Sequence, residues 1–153
     1  MGLIIIIIII TPVTKEPLSL FRSDGKRPDG LTLVPWSSGK ALCRDVTVTC
    51  PLADSYIDAA AREPGAAAEL AASHKEEKYA DLDGRYTFEP IAIETLGVFN
   101  TSARQLLCDL GRNISENTGE VRETSFLFQR CSVLVQRFNA DGVWCCELYK
   151  MSP

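Results

Sequence analysis

Residues 41–50, Ala-Leu-Cys-Arg-Asp-Val-Thr-Val-Thr-Cys, alternate with a period of two and stop at Pro51. That alternation sends successive side chains to opposite faces of a strand. Cys43, Asp45 and Thr47 then share one face, and Leu42, Val46 and Val48 share the other. Proline ends the strand because it brings no amide hydrogen to a ladder. Leu31-Thr32-Leu33-Val34, stopped by Pro35, reads as a shorter strand. Between the two lie the turn formers Ser37-Ser38-Gly39-Lys40, a connection short enough for an antiparallel hairpin. Any fold for this chain therefore starts from a small sheet with Asp45 fixed on one face.

The residues that follow supply cover for that sheet. Residues 66–82 are rich in strong helix formers and come directly after Pro64 and Gly65. Residues 86–93 read as a third strand, ending in Glu94-Thr95-Leu96-Gly97. Asn100, Thr101 or Ser102 can cap a helix over residues 103–110, with Gly111 as its stop. A last helix is expected over residues 120–138, with Leu127, Cys131, Leu134 and Phe138 at helical spacing. The expected class is α/β: a small mixed sheet, made of the hairpin and a third strand, packed with helices. The chain has 153 residues, 46% of them hydrophobic, which suits one core.

Both ends read differently. Residues 3–10 are Leu followed by seven Ile, far short of the roughly 20 apolar residues that cross a bilayer. No basic segment precedes the run and no small-residue cleavage site follows, so neither a membrane anchor nor a secretory signal is expected. Residues 11–26 are polar and turn-rich, a linker. From Ala140 the chain changes character and carries Cys145 and Cys146 in an irregular tail, read as a truncation or an unrelated exon. The expected divisions are residues 1–26, 27–139 and 140–153.

A net charge of −4 counts against a protein that coats nucleic acid through lysine and arginine alone. It does not count against a cation-dependent nuclease, whose own site is acidic. Between Lys15 and Arg44 there are six Lys or Arg against three acids, which by itself suits an ordinary solvated surface. The six cysteines (Cys43, Cys50, Cys108, Cys131, Cys145, Cys146) show no C-x-x-C spacing and His74 is the single histidine, so a zinc site is not expected. Reduced, buried thiols are.

The candidate chemistry lies on the hairpin. Arg27-Pro28-Asp29 stands just before its first strand and Asp45 midway along its second. Hairpin pairing can bring the two carboxylates side by side, where they repel unless a cation or a proton lies between them. Magnesium or manganese is a hard cation suited to such oxygens. A water bound to it can attack a phosphodiester. Two aspartates alone fit better an Asp29 that caps a turn and an Asp45 that faces solvent.

The helix adds a third group. At about 100° per residue, Ala68, Ala71, Ala72, Tyr79 and Leu82 fall within about 60° of Lys75, so Lys75 rises from the middle of the apolar stripe. A lysine aimed at a core needs an anion. Alternatively its stem covers the alanines and its head reaches water. Lys78 lies at the stripe's edge, Tyr79 offers a hydroxyl on the same face, and His74 points away. Glu94 is a candidate further ligand, or an acceptor in the turn before Gly97.

Taken in order, Arg27-Pro28-Asp29, Asp45-Val46-Thr47-Val48-Thr49 and Lys75-Glu76-Glu77-Lys78-Tyr79 resemble the restriction-like endonuclease of non-long-terminal-repeat retrotransposons. Residues 88–97, Phe-Glu-Pro-Ile-Ala-Ile-Glu-Thr-Leu-Gly, resemble the segment that comes next in related retroelement reading frames. The resemblance implies a PD-(D/E)XK, restriction-endonuclease-like core over residues 27–139, in the branch whose lysine has moved from strand to helix. Thr47 stands where the strand lysine would be, so that role passes to Lys75, with Lys78 the second candidate. It further implies a Mg2+- or Mn2+-dependent DNA endonuclease with Asp29, Asp45 and Glu94 at the metal and Lys75, Lys78 and Tyr79 beside them. The implied partner is DNA rather than a membrane, and the implied location is intracellular, nuclear where the protein acts. The second reading is a noncatalytic remnant that binds DNA or protein.

Overall fold

The computed structural model describes residues 13–15 and 27–140, Asp83 excepted. The isoleucine run and the tail from residue 141 lie outside the described residues, as does most of the linker. The elements are β1 (Val13–Lys15), β2 (Gly30–Thr32), β3 (Ala41–Thr49), α1 (Ile57–Ala60), α2 (Ala66–Lys78), β4 (Tyr86–Glu94), α3 (Thr101–Thr118) and α4 (Glu123–Ala140). They form an α/β fold around one mixed four-stranded sheet of order β1-β2-β3-β4.

β2 and β3 are the expected hairpin, antiparallel with Gly30 opposite Arg44 and Leu31 opposite Cys43. The first strand is shorter than its sequence suggests. It ends at Thr32, whose hydroxyl oxygen accepts the Leu42 amide at 2.9 Å. Leu33 and Val34, expected to continue it, are exposed. The chain turns through Ser38 and Gly39, both at positive φ, and the Trp36 amide donates to the Lys40 carbonyl at 2.8 Å. β1, inside the stretch read as linker, adds a further antiparallel strand to β2, from Val13 opposite Thr32 to Lys15 opposite Gly30.

β4 runs parallel to β3 through nine pairs, Ala41 with Tyr86 to Thr49 with Glu94. Parallel neighbours need a crossover, and α2 is the long element within it. Period-two alternation then divides the sheet's faces. Ala92 of β4 packs with Ala68, Ala71 and Ala72 of α2 on one side. On the other, Leu42 and Ile91 meet Ala103 and Leu106 of α3, while Ile93 meets Cys131 and Val135 of α4. The sheet is thus a middle layer between α2 and the α3–α4 pair.

Two helix boundaries correct the sequence expectation. Gly111 does not end α3; it lies inside it, fully enclosed where α4 crosses. A Cβ built on Gly111 would meet the Thr124 hydroxyl oxygen and lie 2.6 Å from Thr124 Cα. Here glycine allows close helix approach rather than stopping a helix. The stop is Gly119, at φ 77° with its amide on the Ser115 carbonyl at 2.8 Å, the left-handed cap that glycine adopts without steric cost. In α4 the buried stripe is Leu127, Cys131 and Val135, so Val135 takes the place expected of Leu134. α2 ends at Lys78, short of residue 82, and the short α1 is an element the sequence reading does not contain.

Candidate active site

Asp29 precedes β2 and is held there by the strand beside it. Its Oδ2 accepts the Val46 amide at 2.7 Å, and the neighbouring Pro28 is among the fully buried residues. Asp45 lies midway along β3 and is 4% exposed. Because odd-numbered residues of β3 face α2, its carboxylate meets that helix, and Lys75 Nζ stands 2.6 Å from Asp45 Oδ2. The three side chains therefore converge. The lysine on the alanine stripe meets an anion, and both carboxylates lie on the hairpin, as the sequence suggests.

Electrostatics record the same proximity. Burial pushes the Asp29 carboxyl above its usual range, the Val46 amide opposes the shift, and the charge of Asp45 and a hydrogen bond with it raise it further; Lys75 lowers it. Two acids in a low-dielectric site destabilise each other's ionised form, and a nearby ammonium relieves that. Cys43, two residues before Asp45 on the same face, is pushed up to about 12 by burial and then by the Asp45 charge. It is a poor nucleophile, since the thiolate is the reactive form.

The other expected site residues have different places. Lys78 Nζ lies 4.5 Å from the Tyr79 ring centroid, so Lys75 is the lysine that meets the acid pair. Tyr79 is buried at the C-terminal cap of α2, its ring packed on Phe88 of β4 at 4.9 Å and 45°. It forms part of the wall between helix and sheet. His74 is exposed, as expected.

Glu94 is a correction. It pairs with Thr49, whereas Asp45 pairs with Pro90. Four residues along the sheet separate them, about 13 Å at strand spacing. Glu94 Oε1 instead accepts the Ala67 amide at 3.1 Å, satisfying a free donor at the start of α2. Among the described residues no group of three or more His, Cys, Asp or Glu side chains is arranged to hold a metal. The acid pair stands as two carboxylates.

Three neighbours of the pair carry information absent from the motif. The Val46 amide that fixes Asp29 is backbone, and no residue type announces it. Thr47 shares the Asp45 face, and its hydroxyl oxygen is buried with no hydrogen-bond partner among the described residues. Arg44 points to the opposite face, 3% exposed, and burial lowers its guanidinium to about 10. The chain matches no protein-family model, no curated protein and no solved structure.

Proposed function

We propose that the chain is a cation-dependent DNA endonuclease domain of restriction-enzyme-like type, in which Asp29 and Asp45 hold Mg2+ or Mn2+ and Lys75 serves the reacting phosphate. One observation carries the reading: the two carboxylates and the ammonium meet at one place, with Lys75 on the helix rather than on the strand. The donor set fits a hard divalent ion, because two adjacent carboxylates attract it and Asp29 is already oriented by the Val46 amide. When bound, such an ion makes a coordinated water more acidic and supplies positive charge against phosphate. Asp29 and Asp45 place the ion on the rigid hairpin, and Lys75 offers a positive charge to phosphate oxygens. Tyr79 walls the site beside Phe88.

The test is nicking of supercoiled plasmid by the purified chain in Mg2+ or Mn2+. Activity is expected to fall at least about a thousandfold in Asp45→Ala, the scale on which a required catalytic group acts. Nicking that survives Asp45→Ala removes this mechanism. The two-carboxylate count favours one further reading, a noncatalytic remnant that binds DNA without cutting it. A wild-type chain that retards duplex DNA, yet neither takes up the cation nor nicks, is the outcome that reading expects.

A further inference from the structure

The approach of Lys75 to Asp45 has a consequence for how a cation enters. Lys75 Nζ and Asp45 Oδ2 are 2.6 Å apart, with the side chains 26% and 5% exposed. That is a contact ion pair between an ammonium and a carboxylate. The ammonium therefore stands against the oxygen that a cation ligated by Asp45 would use. Like charges at contact in a partly buried site repel strongly. We infer that Lys75 is the built-in counter-ion of the acid pair and that a divalent cation must displace it from Asp45. The inference rests on the proposed reading of Asp29 and Asp45 as cation ligands, and it adds a regulation of that site.

The geometry permits displacement without unfolding. Lys75 lies three residues before the end of α2, on a long flexible stem. About a quarter of the side chain already meets solvent. The head can swing outward while Ala68, Ala71 and Ala72 stay against Ala92. A displaced ammonium needs a new anion, and a phosphate arriving at the cleft is one. Cation uptake and DNA binding then favour each other, and by linkage each strengthens the other equally. At low cation concentration Lys75 balances one of the two carboxylate charges from within.

Calorimetric titration of the full chain with Mg2+ and with Mn2+ tests this, alongside melting curves with and without the cation. Lys75→Met keeps the stem and removes the charge; Lys75→Gln is the second variant. Either is expected to bind the cation about tenfold more tightly than wild type. Without cation they melt lower, and cation raises their melting temperature more than that of wild type. Lys75→Arg is expected to keep wild-type affinity, and Asp45→Asn to lose binding. Equal or weaker cation binding by both Lys75→Met and Lys75→Gln overturns the counter-ion role and leaves the aspartates as ligands. Absence of heat and of any melting shift in wild type and in both neutral variants overturns it together with the acid pair as a cation site.

Discussion

Replacing Gly111 with alanine sets two effects of opposite sign against each other. In an ordinary helix interior the change adds about 1 kcal/mol of stability, because glycine has the larger conformational entropy to lose. At this position the new methyl would stand 2.6 Å from Thr124 Cα. Carbon contacts settle near 3.5–4.0 Å, so α4 must retreat by about 1 Å. Leu107, Leu110 and Leu127 pack together at that crossing, and their contacts loosen as it opens. Overpacking of this kind costs about 1–3 kcal/mol. With a backbone atom as the obstacle the upper end applies, and the net loss is about 2 kcal/mol. Urea unfolding followed by far-ultraviolet circular dichroism reads it as a lower midpoint with unchanged slope. Adding Thr124→Ala is not expected to restore the midpoint, since Cα remains. A Gly111→Ala chain as stable as wild type, or more so, refutes the close crossing.

Asp29 titrates with a predictable sign. Its folded-state value lies above the ordinary 3.8, so the folded chain binds this proton more tightly than the unfolded one. The stability from this proton is whole below 3.8 and is lost as pH rises through the folded value. Asp29→Asn is therefore expected to melt higher than wild type at neutral pH without cation, with the advantage shrinking towards pH 3.8; a constant difference contradicts the assignment. Glu94→Gln is expected to leave cation affinity unchanged by calorimetry, and a tenfold loss would return Glu94 to the ligand set. Glu69 Oε1 accepts both the amide and the hydroxyl of Thr101, so Glu69→Ala is expected to lower stability by about 1 kcal/mol, as loss of a helix cap does. An unchanged urea midpoint would show that water replaces it. Under alkylation at pH 8, peptide mapping is expected to find partly exposed Cys50 and Cys108 modified well before buried Cys43 and Cys131; early Cys43 labelling would contradict its enclosure.

The hairpin and the lysine were legible because both depend on local periods. Alternation over residues 41–50 requires only a strand, and it put Asp45 on the face that meets α2. The alanine stripe fixed the direction of Lys75 through the helical turn alone. Gly111 was ambiguous for a physical reason: absence of a side chain serves both a left-handed stop and a close helix crossing, and only the position of Thr124 separates them. Glu94 stayed open between ligand and hydrogen-bond acceptor because a long-range cap leaves no mark beside the residue that provides it; its partner, the Ala67 amide, is 27 residues earlier. The parallel β4 agrees with the expected mixed sheet, whereas the addition of β1 depends on backbone meeting backbone at long range, which residue type specifies weakly.

The carboxylates that receive amides at helix starts make α2 a lever. Its first turn is fastened to the end of β4 by Glu94 and to the head of α3 by Glu69, while the amine is carried near the opposite end. Eight residues from Ala67 to Lys75 span about 12 Å of helix axis. A swing of about 5° at the fastened end then sweeps the base of that side chain through about 1 Å. For the proposed endonuclease, misplacement by that distance would slow the reaction about a hundredfold. The direction of Lys75 is thus set at both ends of the rod, by two glutamates at its first turn and by Tyr79 on Phe88 at its last.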